Sequence, residues 1–307
     1  MITTDFHMHS AHSGDGHATV AEMCEAAAAC GLREIGFTEH LDFDRGDPHY
    51  GFYDDRAYSA SIAAARAAWA GRLVIRKGLE FDFRQAYGTE VGDVLAAWDF
   101  DFLIGSVHSA AGCLLFRLAK EAPADLDLRA LQEAYFDEVE ALSASGWCHV
   151  IGHFDYLYKQ LPARVAPLRD AWYWRRVEEV LARCIAGGVA IEVNTHHLLD
   201  LGQGMAADAA ILRRYRGLGG RLLNELFQEA TRRGVERLYG EVTPEDAAAI
   251  RILERLGFRR ELTLHERRKS ADGALHDVVV MTTHVEQLWN RLAELMQAMD
   301  GEGRERH

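Results

Sequence analysis

Short apolar runs alternate with alanine-rich stretches along the chain up to His197. The apolar runs are typical of strands, and they read REIGFTEH, LVIRKGLEFDF, FDFLIGSVHS, CHVIGHFD and VAIEVNTHH. The intervening stretches have helical periodicity, and they read VAEMCEAAAACGL, SASIAAARAAWAG, DLRALQEAYFDEVEALSASG and RRVEEVLARCIAGG. Regular alternation of strand and helix predicts an α/β fold, with a mostly parallel sheet or barrel wrapped by helices.

The pattern changes near Arg213. Downstream come a glycine-rich helix start, a strand VERLYGEV, a helix PEDAAAIRILERLGF, a strand LHDVVVMTT and an amphipathic helix VEQLWNRLAELMQAMD. We therefore predict three parts of the chain: residues 1–215, residues 216–285, and a C-terminal helix and tail over residues 286–307.

The chain is acidic, and its charge lies mostly in the first part. The formal net charge of the 307 residues is −13, and the first 215 residues hold 19 Lys+Arg against 31 Asp+Glu. Nucleic-acid binders usually carry a basic surface, so a nucleic-acid partner is not expected. Acidic character suits divalent cations, although a solvated acidic surface explains it equally well.

The five cysteines are odd in number and show no CxxC spacing, which is typical of a protein with reduced thiols. No apolar run reaches membrane-spanning length, and no signal peptide precedes Asp5. We therefore expect a cytoplasmic protein without a membrane partner, and leave its oligomeric state open.

Side chains that can bind metal ions follow the predicted strands. They are His7 and His9 after the N-terminal strand, Glu39 and His40, Glu80, His108, and His153. Alternate residues of a strand point the same way, so the two histidines of the HxH pair can face one ion. Alone, that pair also fits a solvent-facing strand. Strand ends are where α/β folds place chemistry, so the full set favours a metal centre. Imidazole and carboxylate together suit Zn, Mn or Fe better than Ca or Mg.

The same residues lie in a familiar order of motifs. DFHMHSAHSGDG, GFTEH, GLEFDF, DFDFLIGSVHS, VIGHFD and IEVN resemble the successive motifs of the PHP (polymerase and histidinol phosphatase) superfamily, and DFLIGSVHS is most similar to histidinol-phosphatases. The resemblance covers residues 1 to about 215. It implies a distorted seven-stranded β/α barrel with up to three metal ions, incomplete here at its last strands.

The resemblance also implies which residues bind the ions. His7 and His9 would bind the first ion, Glu80 would bridge it to a second that His108 and His153 complete, and Asp15 and His40 would hold a third.

The activity implied is phosphate-monoester hydrolysis by a metal-activated hydroxide, with L-histidinol phosphate of histidine biosynthesis as substrate. Glu80, His108 and His153 would form the catalytic centre. Lys159 or Arg84 would assist in phosphate binding, although a surface salt bridge explains either cation equally well. His197, at the predicted rim, would touch substrate or be a simple rim residue.

The chain departs from the family at its last motif, an Asp-x-His that would complete the first and third ion sites. Alignment on the PED of VTPED places Gly240 and Val242 at those two positions. A catalytically weakened metal- or phosphate-binding protein is therefore an alternative to the phosphatase.

The C-terminal segment resembles the second half of a GNAT acetyltransferase. RYRGLG matches the acetyl-CoA loop of that family, in which backbone N–H groups at a helix start hold a pyrophosphate, so Arg216, Gly217 and Gly219 are candidate cofactor-binding residues. The substrate-binding half is lacking, and Leu253 stands where the family often has a general-acid tyrosine. An acyl-CoA-dependent N-acetyltransferase is thus a second alternative. We expect instead a structural role, with VERLYGEV as a parallel seventh barrel strand.

Overall fold

The computed structural model describes residues 3–161, 164, 166–194, 210–215, 218, 237–244, 250–251, 253–254, 257–269, 275–284, 287 and 290. The chain divides into two compact units, Met1–Tyr215 and Arg216–His307. Each unit has its own main sheet.

The first unit alternates strands with helices, as the hydrophobic pattern predicts. Its described strands are β1 (Thr4–Met8), β2 (Glu34–Leu41), β3 (Val74–Asp82), β4 (Phe102–Ser106), β5 (Ser109–Ala110), β6 (Cys113–Leu114), β7 (Val150–Ile151) and β8 (Ala190–Ile191). Its described helices are α1 (Val20–Ala29), α2 (Asp55–Ala68), α3 (Gly88–Ala97), α4 (Leu115–Glu121), α5 (Leu128–Ala144), α6 (Tyr156–Gln160) and α7 (Ala171–Gly187), with short 3-10 turns at Gln85–Tyr87 and Ala166–Leu168.

Six of these strands form one parallel sheet in the order β1-β2-β3-β4-β7-β8. The small β5–β6 hairpin lies outside it. The α/β class is therefore confirmed, with the sheet forming a half-barrel accompanied by helices. Because every strand of a parallel sheet runs the same way, the carboxyl ends of all six lie at one edge.

The central strands are buried on both faces over most of their length. In β3 every residue from Lys77 to Asp82 is buried. Tyr58 connects helix α2 to the sheet, because its buried hydroxyl lies 2.9 Å from the Phe37 carbonyl oxygen of β2 and 3.0 Å from the Gly78 carbonyl oxygen of β3.

The helices begin where local side chains satisfy their free N–H groups. Thr19 and Glu22 form a capping box at the start of α1. Asp127 caps α5 and Asp170 caps α7, which ends on Gly188 in the left-handed conformation at φ 70°. No described helix is long and apolar enough to cross a membrane.

The second unit contains an antiparallel sheet of β9 (Arg237–Val242), β10 (Arg259–Lys269) and β11 (Leu275–His284), in the order β10-β11-β9. The prediction of VERLYGEV as a parallel seventh strand is therefore wrong, since β9 pairs antiparallel with β11 from Val242 opposite Val279 to Arg237 opposite His284. The physical reason is that β11 presents a long, regular edge of its own, with Val278, Val279 and Met281 buried. Most of residues 286–307, predicted as a terminal helix and tail, lie outside the described residues.

Substitution of Gly78 tests how tightly the side chains pack against the sheet. A Cβ on Gly78 would lie 2.5 Å from the Phe102 ring and 2.9 Å from the Phe37 carbonyl oxygen. We expect Gly78→Ala to lower the free energy of unfolding by about 1–3 kcal/mol through overpacking. Urea denaturation measures this change. Gly88→Ala is the control, because its Cβ would meet Trp147 at an ordinary 3.5 Å in a helix, and equal losses in both variants would contradict the prediction.

Candidate metal centre

The buried carboxylate of Glu80, in β3, lies at the carboxyl edge of the parallel sheet and is 1% exposed. Five imidazole nitrogens surround its two oxygens at 2.8–3.5 Å; they belong to His7, His9, His40, His108 and His153. The structure thus brings together the five histidines and the glutamate that the strand ends predict.

The histidines divide between the two oxygens of Glu80. Oε2 lies 3.1 Å from His7 Nε2, 3.4 Å from His9 Nε2 and 3.3 Å from His40 Nδ1. Oε1 lies 2.8 Å from His153 Nε2 and 3.5 Å from His108 Nε2, and those two nitrogens are 3.3 Å apart. A carboxylate with a different set of imidazoles on each oxygen has the geometry of a bridging ligand.

The sheet itself sets these positions. His40 of β2 and Glu80 of β3 are direct partners in the parallel register, so their side chains start side by side. His108 follows β4 and His153 follows β7, with His153 in a positive-φ conformation at 22°. A positive φ is strained for a residue with a side chain, and strain of this kind accumulates at functional sites.

Asp15 lies at the outer side of the cluster. Its Oδ2 is 3.6 Å from His40 Nε2, and Asp15, His9 and His40 each place a possible ligand atom within 4.8 Å of the others. Asp15 is 46% exposed, so this side of the centre is open to solvent.

The loop that carries Asp15 is held by the fully buried Glu39. The Glu39 carboxylate accepts hydrogen bonds from the Ser10 backbone N–H at 3.0 Å, from Ser10 Oγ at 2.6 Å and from Ser13 Oγ at 2.6 Å. This network sets the path of the chain between His9 and Asp15.

Glu192, just after β8, is a central contact that the sequence reasoning missed. Its Oε1 lies 2.6 Å from His7 Nδ1, and its Oε2 accepts a hydrogen bond from the His153 backbone N–H at 2.7 Å. A carboxylate on the far nitrogen of a metal-binding histidine orients the ring and increases its basicity. The signal was present in IEVN, a strand end with a carboxylate like that of GLEFDF.

Two further carboxylates lie behind His108. Its Nδ1 is 3.7 Å from Asp42 Oδ1 and 3.6 Å from Asp82 Oδ1, and its backbone N–H donates to Asp82 Oδ1 at 3.0 Å. The two carboxylates therefore orient the ring so that Nε2 faces Glu80.

Burial and charge compete in setting the pKa values of the centre. Burial raises the pKa of Glu80, but the surrounding histidines outweigh it and hold that pKa well below its usual range. Burial lowers the pKa of His9 to about 4 and also lowers that of His153, so both favour the neutral form that binds metal. Burial likewise lowers the pKa of His7, yet Glu80 and Glu192 raise it well above its usual value.

This donor set fits divalent cations. Among the described residues, every ion pair of Glu80 is with a histidine, and no lysine or arginine compensates its charge. His153 Nδ1 is buried without a hydrogen-bond partner in the described part of the chain. Neutral imidazoles around a shared carboxylate are ligands for Zn, Mn or Fe. At least two groups of these side chains place their possible ligand atoms close enough to hold an ion: His7, His9 and Glu80, and His40, Glu80 and His108.

The remaining predicted residues lie on other segments of the chain or beyond the described residues. Arg84 Nη1 lies 3.5 Å from Asp44 Oδ2 and 3.1 Å from the Tyr87 hydroxyl, and Lys159 lies in the last turn of α6. Gly240 and Val242, at the aligned positions of the missing Asp-x-His, lie on β9. The predicted residues outside the described ranges are His197, Arg216, Gly217 and Gly219.

Comparison with known proteins identifies relatives of the first unit. The PHP domain family model matches residues 5–196. A probable histidinol-phosphatase of Deinococcus radiodurans is 33% identical over 203 residues, which cover 62% of this chain and 72% of that protein. The crystal structure of a histidinol phosphate phosphatase from Lactococcus lactis, complexed with zinc, L-histidinol and phosphate, has a TM-score of 0.58 at 21% identity and covers 71% of this chain and 82% of that one.

A second solved structure, described as a proposed histidinol phosphatase from Listeria monocytogenes, has a TM-score of 0.61 at 18% identity and covers 70% of this chain and 91% of that one. At these identities the two structures show the fold alone. The Acetyltransferase (GNAT) family model matches residues 140–258. The resemblance of the C-terminal segment to GNAT acetyltransferases is thus found independently of the motifs.

Glu192→Gln tests whether the carboxylate behind His7 supports metal binding. Glutamine keeps the shape of the side chain but removes the charge that makes His7 more basic, so we expect about 10- to 100-fold weaker metal affinity. Titration of metal-free protein with zinc and a competing chromophoric chelator measures the affinity. Glu34→Gln is the control, because Glu34 pairs with Arg76 at 2.7 Å outside the cluster. Unchanged affinity in Glu192→Gln would contradict the prediction.

Proposed function

Because the chain belongs to the PHP-domain family, we propose that it is a metal-dependent phosphomonoesterase that hydrolyses a small phosphorylated alcohol, L-histidinol phosphate. The observation that carries the proposal is the convergence of five histidines on the buried Glu80. The similar proteins found by sequence and by structure are histidinol-phosphatases by name, and one was solved with zinc, L-histidinol and phosphate.

The proposed ligand set follows the two oxygens of Glu80. His7 and His9 would hold one cation together with Glu80, and His108 and His153 would hold a second with the same carboxylate. Asp15 and His40 would hold a third at the solvent-exposed side. Bound cations would supply neutralisation of the phosphate charge and a lowered pKa for a coordinated water.

The residues of the chain then have defined tasks. Ser106 Oγ donates to Glu80 Oε1 at 2.6 Å and so fixes the orientation of the bridging carboxylate. Glu192 contacts Nδ1 of His7 and orients that ring. Asp42 and Asp82 lie at ion-pair distance from Nδ1 of His108. Preorganised ligands of this kind need little rearrangement during the reaction, which favours transition-state stabilisation.

Arg84 and Lys159 are the two cationic side chains proposed to contact the substrate. Arg84 lies 3.5 Å from Asp44 and is thereby held near the loop that follows β2. Lys159 lies in the last turn of the short helix α6, which begins just after His153. A cation at either position would complement the negative phosphate or the leaving alcohol.

Replacement of the bridging carboxylate tests the activity. We expect Glu80→Gln to reduce phosphate release from L-histidinol phosphate by about a thousandfold or more, because the shared ligand of two cations loses its charge. Phosphate release is measured with added Zn or Mn, and a chelator should abolish it in the wild type. Glu138→Gln, whose carboxylate bonds to the Gln85 backbone N–H, is the matched control.

The outcomes separate an enzyme from a binding protein. Full turnover in Glu80→Gln, or turnover in metal-free wild type, would contradict the proposed mechanism. Negligible turnover in the wild type with metal bound would instead favour the catalytically weakened protein that the missing Asp-x-His suggests.

The GNAT family match over residues 140–258 favours a second candidate function, binding of an acyl-CoA by the C-terminal unit. Acetyl-CoA at a hundredfold excess over its Kd would stabilise the unit by about 2.7 kcal/mol and raise its melting temperature. Differential scanning calorimetry with ADP as the control ligand measures the shift. An unchanged melting temperature at millimolar acetyl-CoA would remove this candidate.

A further inference from the structure

We propose that Asp42, Asp47 and His49 form an additional divalent-cation site beside the cluster around Glu80. Each of the three residues places a possible ligand atom within 4.8 Å of the other two. All three lie at or after the end of β2, on the chain that follows His40. Glu80 is not part of this group, so the site is adjacent to the proposed phosphatase centre and is not one of its ions.

The strongest sign of a missing partner is the carboxylate of Asp42. The residue is 6% exposed, and its Oδ2 is buried without a hydrogen bond to any of the described residues. Its other oxygen lies 3.7 Å from His108 Nδ1. An unpaired buried carboxylate oxygen is unfavourable, because it loses its water without gaining a partner. A cation between Asp42, Asp47 and His49 would supply that partner.

The other two donors are held in place. Asp47 Oδ1 accepts a hydrogen bond from the His49 backbone N–H at 2.8 Å, and His49 Nδ1 lies 3.5 Å from the same oxygen. The His49 ring stacks on His40 with centroids 5.9 Å apart, and a Cβ on Gly14 would overlap it. The side chain of Asp47 is 7% exposed and that of His49 is 29% exposed, so the group is confined yet reachable from solvent.

The negative charge of the neighbouring carboxylates also favours a bound cation. Asp42, Asp47 and Asp82 are close enough to one another for their negative charges to interact. Within the described part of the chain, the ion pairs of these three carboxylates are all with histidines. The nearby Arg84 is paired with Asp44 instead. Two carboxylates and one imidazole are a donor set for Zn or Mn.

Metal content tests the site directly. We expect His49→Gln and Asp47→Asn each to lose about one ion per chain after equilibrium dialysis against zinc, measured by elemental analysis. Asparagine keeps the oxygen that accepts the His49 N–H, so the loop should retain its fold, which circular dichroism checks. His265→Gln is the control, because His265 also contacts an aspartate, Asp277 at 2.9 Å, but is 79% exposed.

The same assay separates this site from the phosphatase centre. In a Glu80→Gln background, which weakens the main centre, the additional His49→Gln should still remove about one ion. Equal zinc content in wild type, His49→Gln and Asp47→Asn would overturn the proposal, as would equal content in Glu80→Gln with and without His49→Gln. Loss of phosphatase activity alone would not decide the matter, because it reports on Glu80 and its histidines.

Discussion

The structure of the first unit depends on one buried negative charge, that of Glu80. Moving a carboxylate out of water costs several kcal/mol or more unless partners replace the lost hydration. Here the partners are five imidazoles and the hydroxyl of Ser106, and every ion pair of Glu80 within the described residues is with a histidine. Imidazoles stabilise a carboxylate by donating N–H hydrogen bonds, most strongly when they are protonated, or by sharing a cation with it. The depressed pKa of Glu80 and the raised pKa of His7 reflect stabilisation by protonated imidazole. A bound metal ion would provide the alternative, a shared cation.

The parallel sheet is what makes such a gathering possible. Its strands all present their carboxyl ends at one edge, and direct pairing of His40 with Glu80 brings these two side chains together without any loop. The closure of the half-barrel is equally important. β1 and β8 stand at opposite ends of the strand order, yet Glu192 after β8 contacts His7 of β1 at 2.6 Å. The centre thus links the first and last strands of the sheet, so its side chains stabilise the curvature that positions them.

The sequence predicts the class of fold and the cluster because both follow from local patterns. His108 and His153 follow apolar runs, and the carboxyl ends of parallel strands converge. Glu192 was missed because the role of a strand-end carboxylate depends on which strand lies across the barrel from it. Asp42, Asp47 and His49 converge only through the path of a loop, which spacing does not encode. The pairing of β9 was predicted wrongly for a similar reason: the residues of VERLYGEV favour a strand, but they do not determine which strand it pairs with.

The distribution of charge explains why the proposed activity requires metal. Carboxylates dominate the described centre: Glu80, Glu192, Asp15, Asp42 and Asp82 lie on or directly behind the histidines. A phosphate monoester carries negative charge and would be repelled by this surface in the absence of cations. Under the proposed function, ions held by the histidines would reverse the sign of the field where the phosphate would bind. Substrate binding would then be coupled to metal binding, and a chain without its ions would lose affinity for phosphate.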